Sequence, residues 1–171
     1  DFATARLLID KMIESQPNNN ALKTLQQTVR NHTPIAHNSS VPKFAAYDIN
    51  GKPVNNAMLA KADTAVVIAW ATWNYNSMSM LQTVAQIQKE KGSKMKVLGV
   101  CLDYSRSLCR TALRQRDMND IPTVCDGKAV DGDIYNRLGM SNLPDNIVIE
   151  KGKVTATGLT LEQLRKKLGK E

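Results

Sequence analysis

The side chains best able to do chemistry are Cys101, Cys109 and Cys125, the only three cysteines, and His32 and His37, the only two histidines. Three thiols allow one intramolecular disulfide with one thiol to spare, or a thiolate nucleophile where a positive neighbour lowers a pKa. Spacings of eight and sixteen residues match no zinc-knuckle pattern, so neither a metal nor any other cofactor is expected. His32 and His37 sit in a polar stretch with no cysteine or carboxylate cluster beside them, and read as surface residues. Both also precede the main run of elements, which leaves no Ser-His-Asp arrangement to assemble.

The elements that carry the cysteines decide whether the three can meet. "MKVLGVCLD" (95–103) reads as a buried strand ending near Cys101, and residues 105–116 as a helix carrying Cys109. "IPTVCD" (121–126) reads as a short strand that ends at Cys125. If the two strands are parallel neighbours, the thiols gather near one edge of a sheet. Cys109–Cys125 is the favoured disulfide; it would close a sixteen-residue loop and contribute about 3 kcal/mol in the chain-entropy account. Cys101–Cys125 competes with it, and a Cα separation above about 7 Å would exclude either pair. A staple or simple buried thiols is the plain expectation. A redox pair whose thiol pKa is lowered by Arg106 and Arg110 is the alternative. Cys101 alone is a small buried hydrophobe.

The rest of the chain alternates strands and helices. Residues 2–16 and a second segment capped by Asn20 and carrying Leu22, Leu25 and Val29 form a helical hairpin (1–31). A polar, proline-containing stretch (32–42) reads as a linker before the main domain (43–171). There, "KFAAYD" leads to a turn at Asn50-Gly51, and "TAVVIAW" (64–70) is a strand covered on both faces. A helix over 77–91 ends at Gly92, and one over 131–138 ends at Gly139. A hairpin over 146–159 turns at Lys151-Gly152, and a helix over 161–168 follows. This order predicts an α/β architecture with a central mixed sheet flanked by helices.

At 171 residues the chain can bury a substantial core, and its 42% hydrophobic and 23% charged content is that of a globular protein. No apolar run reaches the roughly 18 residues of a membrane-spanning helix. The net charge of +7 includes a stripe of Arg106, Arg110 and Arg114 on one helix face. Without interleaved aromatics to stack on bases, that stripe reads as a solvated face, and nucleic acid is not an expected partner. The chain opens at Asp1 rather than methionine, as a processed product would; membrane association would then come only through an upstream segment.

"VVIAWATWNYNSMSML" (66–81) resembles the strand, W-A-x-W-C-x-x-C turn and helix of the thioredoxin superfamily, in its TlpA/ResA (AhpC/TSA-like) branch. "VLGVCLD…IPTVCDG" resembles that branch's strand–helix–strand insertion, and "NLPDNIVIEKGKVTATGL" resembles its cis-proline strand and hairpin. The resemblance covers roughly 43–168 and is similar to Bacteroidetes-type envelope proteins. It implies a thioredoxin-like fold and a place in the periplasm or cell envelope of a Gram-negative bacterium. Asn74 and Ser77 stand where the family has its two cysteines, which excludes dithiol chemistry at this turn, since an amide is no nucleophile. The resemblance further implies a groove formed by Trp73, Tyr75, Asn76, Leu143 and Pro144, with Pro144 in cis. Such a groove can take an extended peptide or protein partner by strand addition. Asn74 or Asn76 can also cap the following helix. Three readings stay open: a redox-inactive binding or structural module, a divergent thiol–disulfide oxidoreductase using Cys109 and Cys125 or Cys101, and an accessory domain of a larger protein.

Overall fold

The computed structural model describes residues 2–31 and 35–169, in two compact units that divide between Pro34 and Ile35. The first is a helical hairpin of α1 (Phe2–Ser15) and α2 (Asn20–Asn31). Asn19 caps α2: its side-chain oxygen accepts from the Leu22 N–H at 3.2 Å, one residue before the cap expected from sequence. Ile9 and Leu22 are buried, and the Gln26 amide donates to the Asp10 carboxylate across the pair.

In the second unit β1 (Ala45–Tyr47) and β2 (Pro53–Asn55) pair antiparallel as a separate ribbon, with Gly51 at φ 79° in its turn. A short helix, α3 (Asn56–Ala60), follows at once, capped by Asn55. The sequence did not announce it, because one five-residue turn is too short to set up a periodicity. The main sheet has the order β5-β4-β3-β6-β7, formed by β3 (Thr64–Trp70), β4 (Met95–Cys101), β5 (Thr123–Val124), β6 (Asp145–Glu150) and β7 (Lys153–Thr157). β3 runs parallel to β4 and antiparallel to β6, and β4 runs parallel to β5, so the sheet is mixed, as expected.

Alternation along β3 divides the core. Val66, Ile68 and Trp70 face one layer, with Met80, Leu81, Val84 and Ile87 of α4 (Tyr75–Lys91), Cys109 and Leu113 of α5 (Arg106–Gln115), and Leu164 of α7 (Leu161–Lys167). Ala65, Val67 and Ala69 face the other, with Leu59 of α3 and Ile134, Tyr135 and Leu138 in and just after α6 (Asp133–Arg137). With both faces covered, β3 has no polar side, hence its unbroken apolar run.

Two expectations need restating. Residues 38–41, within the expected linker, hydrogen-bond along β7 through Asn38 N–H to Val154 O and Val154 N–H to Ser39 O, and Val41 is buried. The arginine stripe is exposed but not merely solvated. Arg106 Nε donates to the Cys125 carbonyl at 2.8 Å, and Arg110 donates to the Ile49 carbonyl, tying α5 to neighbouring loops.

Candidate functional site

The turn between β3 and α4 carries Asn74 and Ser77, where the resemblance would place two cysteines. β3 delivers Trp70 wholly buried, and the chain turns through Ala71–Asn74 into α4. Asn74 is the N-cap: its side-chain oxygen accepts the Ser77 N–H at 2.9 Å. Asn76 is exposed in the first turn and does not cap. The Ser77 side chain is 0% exposed. Its Oγ accepts from Ala71 N–H at 3.1 Å and donates to the Asn74 carbonyl at 2.8 Å, with the Ala71 carbonyl at 3.3 Å. Both side chains thus close the turn, satisfying N–H groups that a helix start and a tight corner would leave orphaned.

The neighbouring aromatics do the opposite. Trp73 is 68% exposed and Tyr75 82% exposed. The Leu143–Pro144 peptide is cis, and both residues are half-buried. That loop is held from below by Asp145, a buried acid the sequence reading did not single out. Its carboxylate accepts from the backbone N–H groups of Ser141, Asn142 and Asn146 at 2.9, 3.3 and 2.8 Å. Tyr135 donates its phenol to the Asn142 carbonyl at 3.1 Å; burial, with the Asp145 charge, pushes that phenol up to about 12, so it stays a donor. Asn146 bridges to Leu159 through both its amide groups, at 2.7 and 3.1 Å, fixing the loop before α7.

Between these parts lies a cleft of about 410 Å³, lined by Asn76, Met80, Pro144, Gly158, Leu159 and Thr160 among others. Of the expected groove residues, Asn76 and Pro144 line it; Trp73, Tyr75 and Leu143 do not. No hydrogen bond among the described residues engages the main chain of Leu143. A larger hollow of about 510 Å³ on the outer side of α4, among Lys89, Glu90, Arg116 and Arg165, shares only Ser79 with the cleft.

The cysteines converge from β4, α5 and the end of β5. All three cysteines are free thiols here, and their Sγ atoms lie within 4.8 Å of one another, which brings Cys109 and Cys125, the pair favoured for a disulfide, together with Cys101. None is more than 3% exposed. Hydrogen bonds from Cys101 and Cys109, then the Gly127 backbone and the Arg106 charge, overcome burial and lower Cys125 to about 3. Cys101 is raised by its hydrogen bonds with Cys109 and Cys125 and by burial. Cys109 is favoured as thiolate by Cys101, yet its bond to Cys125 and burial raise it overall.

Asp103 joins the two regions. It is 3% exposed, and one carboxylate oxygen lies 3.1 Å from Cys101 Sγ while accepting the Thr72 N–H at 3.0 Å. The other accepts from the Thr72 hydroxyl at 2.9 Å. His37 is exposed, as expected; His32 lies outside the described residues.

A parallel β3–β4–β5 edge, an antiparallel β6–β7 hairpin and a cis-proline facing the start of α4 identify the architecture. The fold is thioredoxin-like. A solved thiol–disulfide oxidoreductase from Bacteroides fragilis superposes with a TM-score of 0.66 at 23% identity, covering 76% of this chain and 97% of that one. The thioredoxin domain of a thiol–disulfide oxidoreductase from Bacteroides vulgatus gives 0.66 at 18% identity, covering 78% and 96%. A secreted disulfide oxidoreductase of Mycobacterium tuberculosis, homologous to Escherichia coli DsbE, gives 0.61 at 15%, covering 73% and 93%. No family model matches the sequence, and no curated protein matches it. At 23% identity or less, the likeness to these oxidoreductases is one of fold. No helix among the described residues is long and apolar enough to cross a membrane.

Proposed function

We propose that this thioredoxin-like domain is a redox-silent binding module of the bacterial cell envelope, holding an extended peptide segment of a partner beside Pro144. The observation that carries this reading is the division of labour at the β3–α4 turn. Asn74 and Ser77 are consumed by capping and cornering hydrogen bonds, whereas Trp73 and Tyr75 on either side of Asn74 stay exposed. A chain with no thiol at the helix start cannot open a disulfide there. It retains large, rigid, exposed aromatic surface at Trp73 and Tyr75, and among the described residues the Leu143 main chain takes no hydrogen bond. The secreted oxidoreductase among the structural neighbours supports an envelope location, and the separate N-terminal hairpin suits an accessory domain of a larger protein.

Turnover through Cys101, Cys109 and Cys125 is the weaker reading, because a substrate disulfide cannot reach sulfurs that are at most 3% exposed. The test is capture of unstructured peptides on an array, followed by titration of the best binder. Trp73→Ala should weaken binding at least about tenfold, as expected of a buried tryptophan anchor, with the melting temperature unchanged. Equal affinity in the variant would remove Trp73 from the proposal. Catalytic reduction of insulin disulfides by the wild type would overturn redox silence.

A further inference from the structure

We infer that Cys101, Cys109 and Cys125 form a three-thiolate zinc-binding site, independent of the peptide groove. Three sulfurs from three different elements lie within 4.8 Å of one another, buried at one sheet edge. Tetrahedral zinc with bonds of about 2.3 Å sets its sulfurs about 3.8 Å apart, so closing on the ion takes at most about 1 Å of sulfur movement. The Asp103 carboxylate accepts a hydrogen bond from Cys101 Sγ at 3.1 Å and is itself held by the Thr72 N–H and hydroxyl, so it orients a ligand from just outside the set.

The donor set selects the ion. Three thiolates suit borderline ions, and Zn²⁺ would complete its usual four-coordination with a water in the remaining position. Binding replaces the thiol protons: the thiols are released as thiolates to the metal and their protons pass to solvent, with no change of oxidation state. The negative charge left on the complex faces Arg106, whose guanidinium is held at the Cys125 carbonyl. The spacing in sequence hides the site because each ligand comes from a separate element, rather than from one knuckle loop.

The test uses the whole chain, reduced and stripped of metal under anaerobic conditions, with Co²⁺ as the spectroscopic probe. The expected result is thiolate-to-cobalt charge transfer and visible tetrahedral bands that saturate at one equivalent and are bleached by Zn²⁺. Zinc should also raise the melting temperature, because it binds the folded state. Cys109→Ala should abolish the bands, and Asp103→Ala should lower affinity at least about tenfold. Organomercurial titration of the zinc-loaded wild type should release zinc in step with three thiols, a readout that needs no variant to fold. Absence of charge transfer in the wild type would overturn the site. Bands that persist in Cys109→Ala, or zinc release without thiol consumption, would do the same.

Discussion

Ser77→Ala tests the central claim about the β3–α4 turn, that its polar residues now hold structure. The Ser77 hydroxyl is the acceptor for the Ala71 N–H, and Ala71 is wholly buried. The carbonyls it touches have other donors: Asn74 O accepts from Met78 N–H and Ala71 O from Asn74 N–H. Deleting the hydroxyl therefore orphans one buried N–H, at a cost of about 1–3 kcal/mol. For a loss of about 2 kcal/mol the melting temperature should fall by roughly 4–8 °C in a chain of this size. The urea midpoint should fall by roughly 1 M if m is near 2 kcal/mol/M. Tryptophan fluorescence is the suitable probe, because Trp70 and Trp73, the only two, flank this turn and report the second unit alone. Ser77→Cys should lie between wild type and alanine, since sulfur is a weak acceptor. A change of less than about 0.5 kcal/mol in Ser77→Ala, the size of an ordinary surface substitution, would refute the structural role.

Two other outcomes follow from the packing and the charges. Gly99→Ala should cost about 1–3 kcal/mol, because a Cβ there would stand 2.7 Å from Thr123 Oγ1 and 2.9 Å from Trp70 Nε1. An unchanged melting temperature would show that those side chains swing aside freely. Lys167, 2.8 Å from Glu150, lowers the Glu150 pKa below its ordinary 4.5. A depressed folded pKa gives stability that is present above that value and lost as pH falls through the folded one. Lys167→Met should therefore be less stable near neutrality, by at most about 1 kcal/mol for so exposed a pair, and should converge with wild type in acid; a constant difference down to pH 2 would contradict the assignment.

Much of this protein was legible from residue order alone. The apolar run at 64–70 could only be a strand covered on both faces, and Gly92 and Gly139 marked where helices stop. The tryptophans, the "NLPDN" stretch and the insertion between them pointed to the architecture found. That legibility comes from local causes: periodicity, chirality and the lack of a side chain act within a few residues. The α3 turn escaped, as did the packing of residues 38–41 on β7, because neither has a periodic signal of its own. Asp145 escaped too, since nothing local says a carboxylate beside proline will collect three backbone N–H groups.

The absence of a cysteine at Asn74 and Ser77 settled, without any coordinates, that this turn performs no dithiol exchange. What those residues do instead depends on where Ala71 lies when the chain turns, and only the folded turn shows it. The cysteines make the same division sharper. Their spacings of eight and sixteen residues argued against a zinc site. The fold brings all three sulfurs within 4.8 Å of one another. Sequence spacing measures distance along the chain, whereas a ligand set is defined by distance through space. It took the parallel pairing of β4 with β5, and α5 laid across their edge, to convert the first into the second.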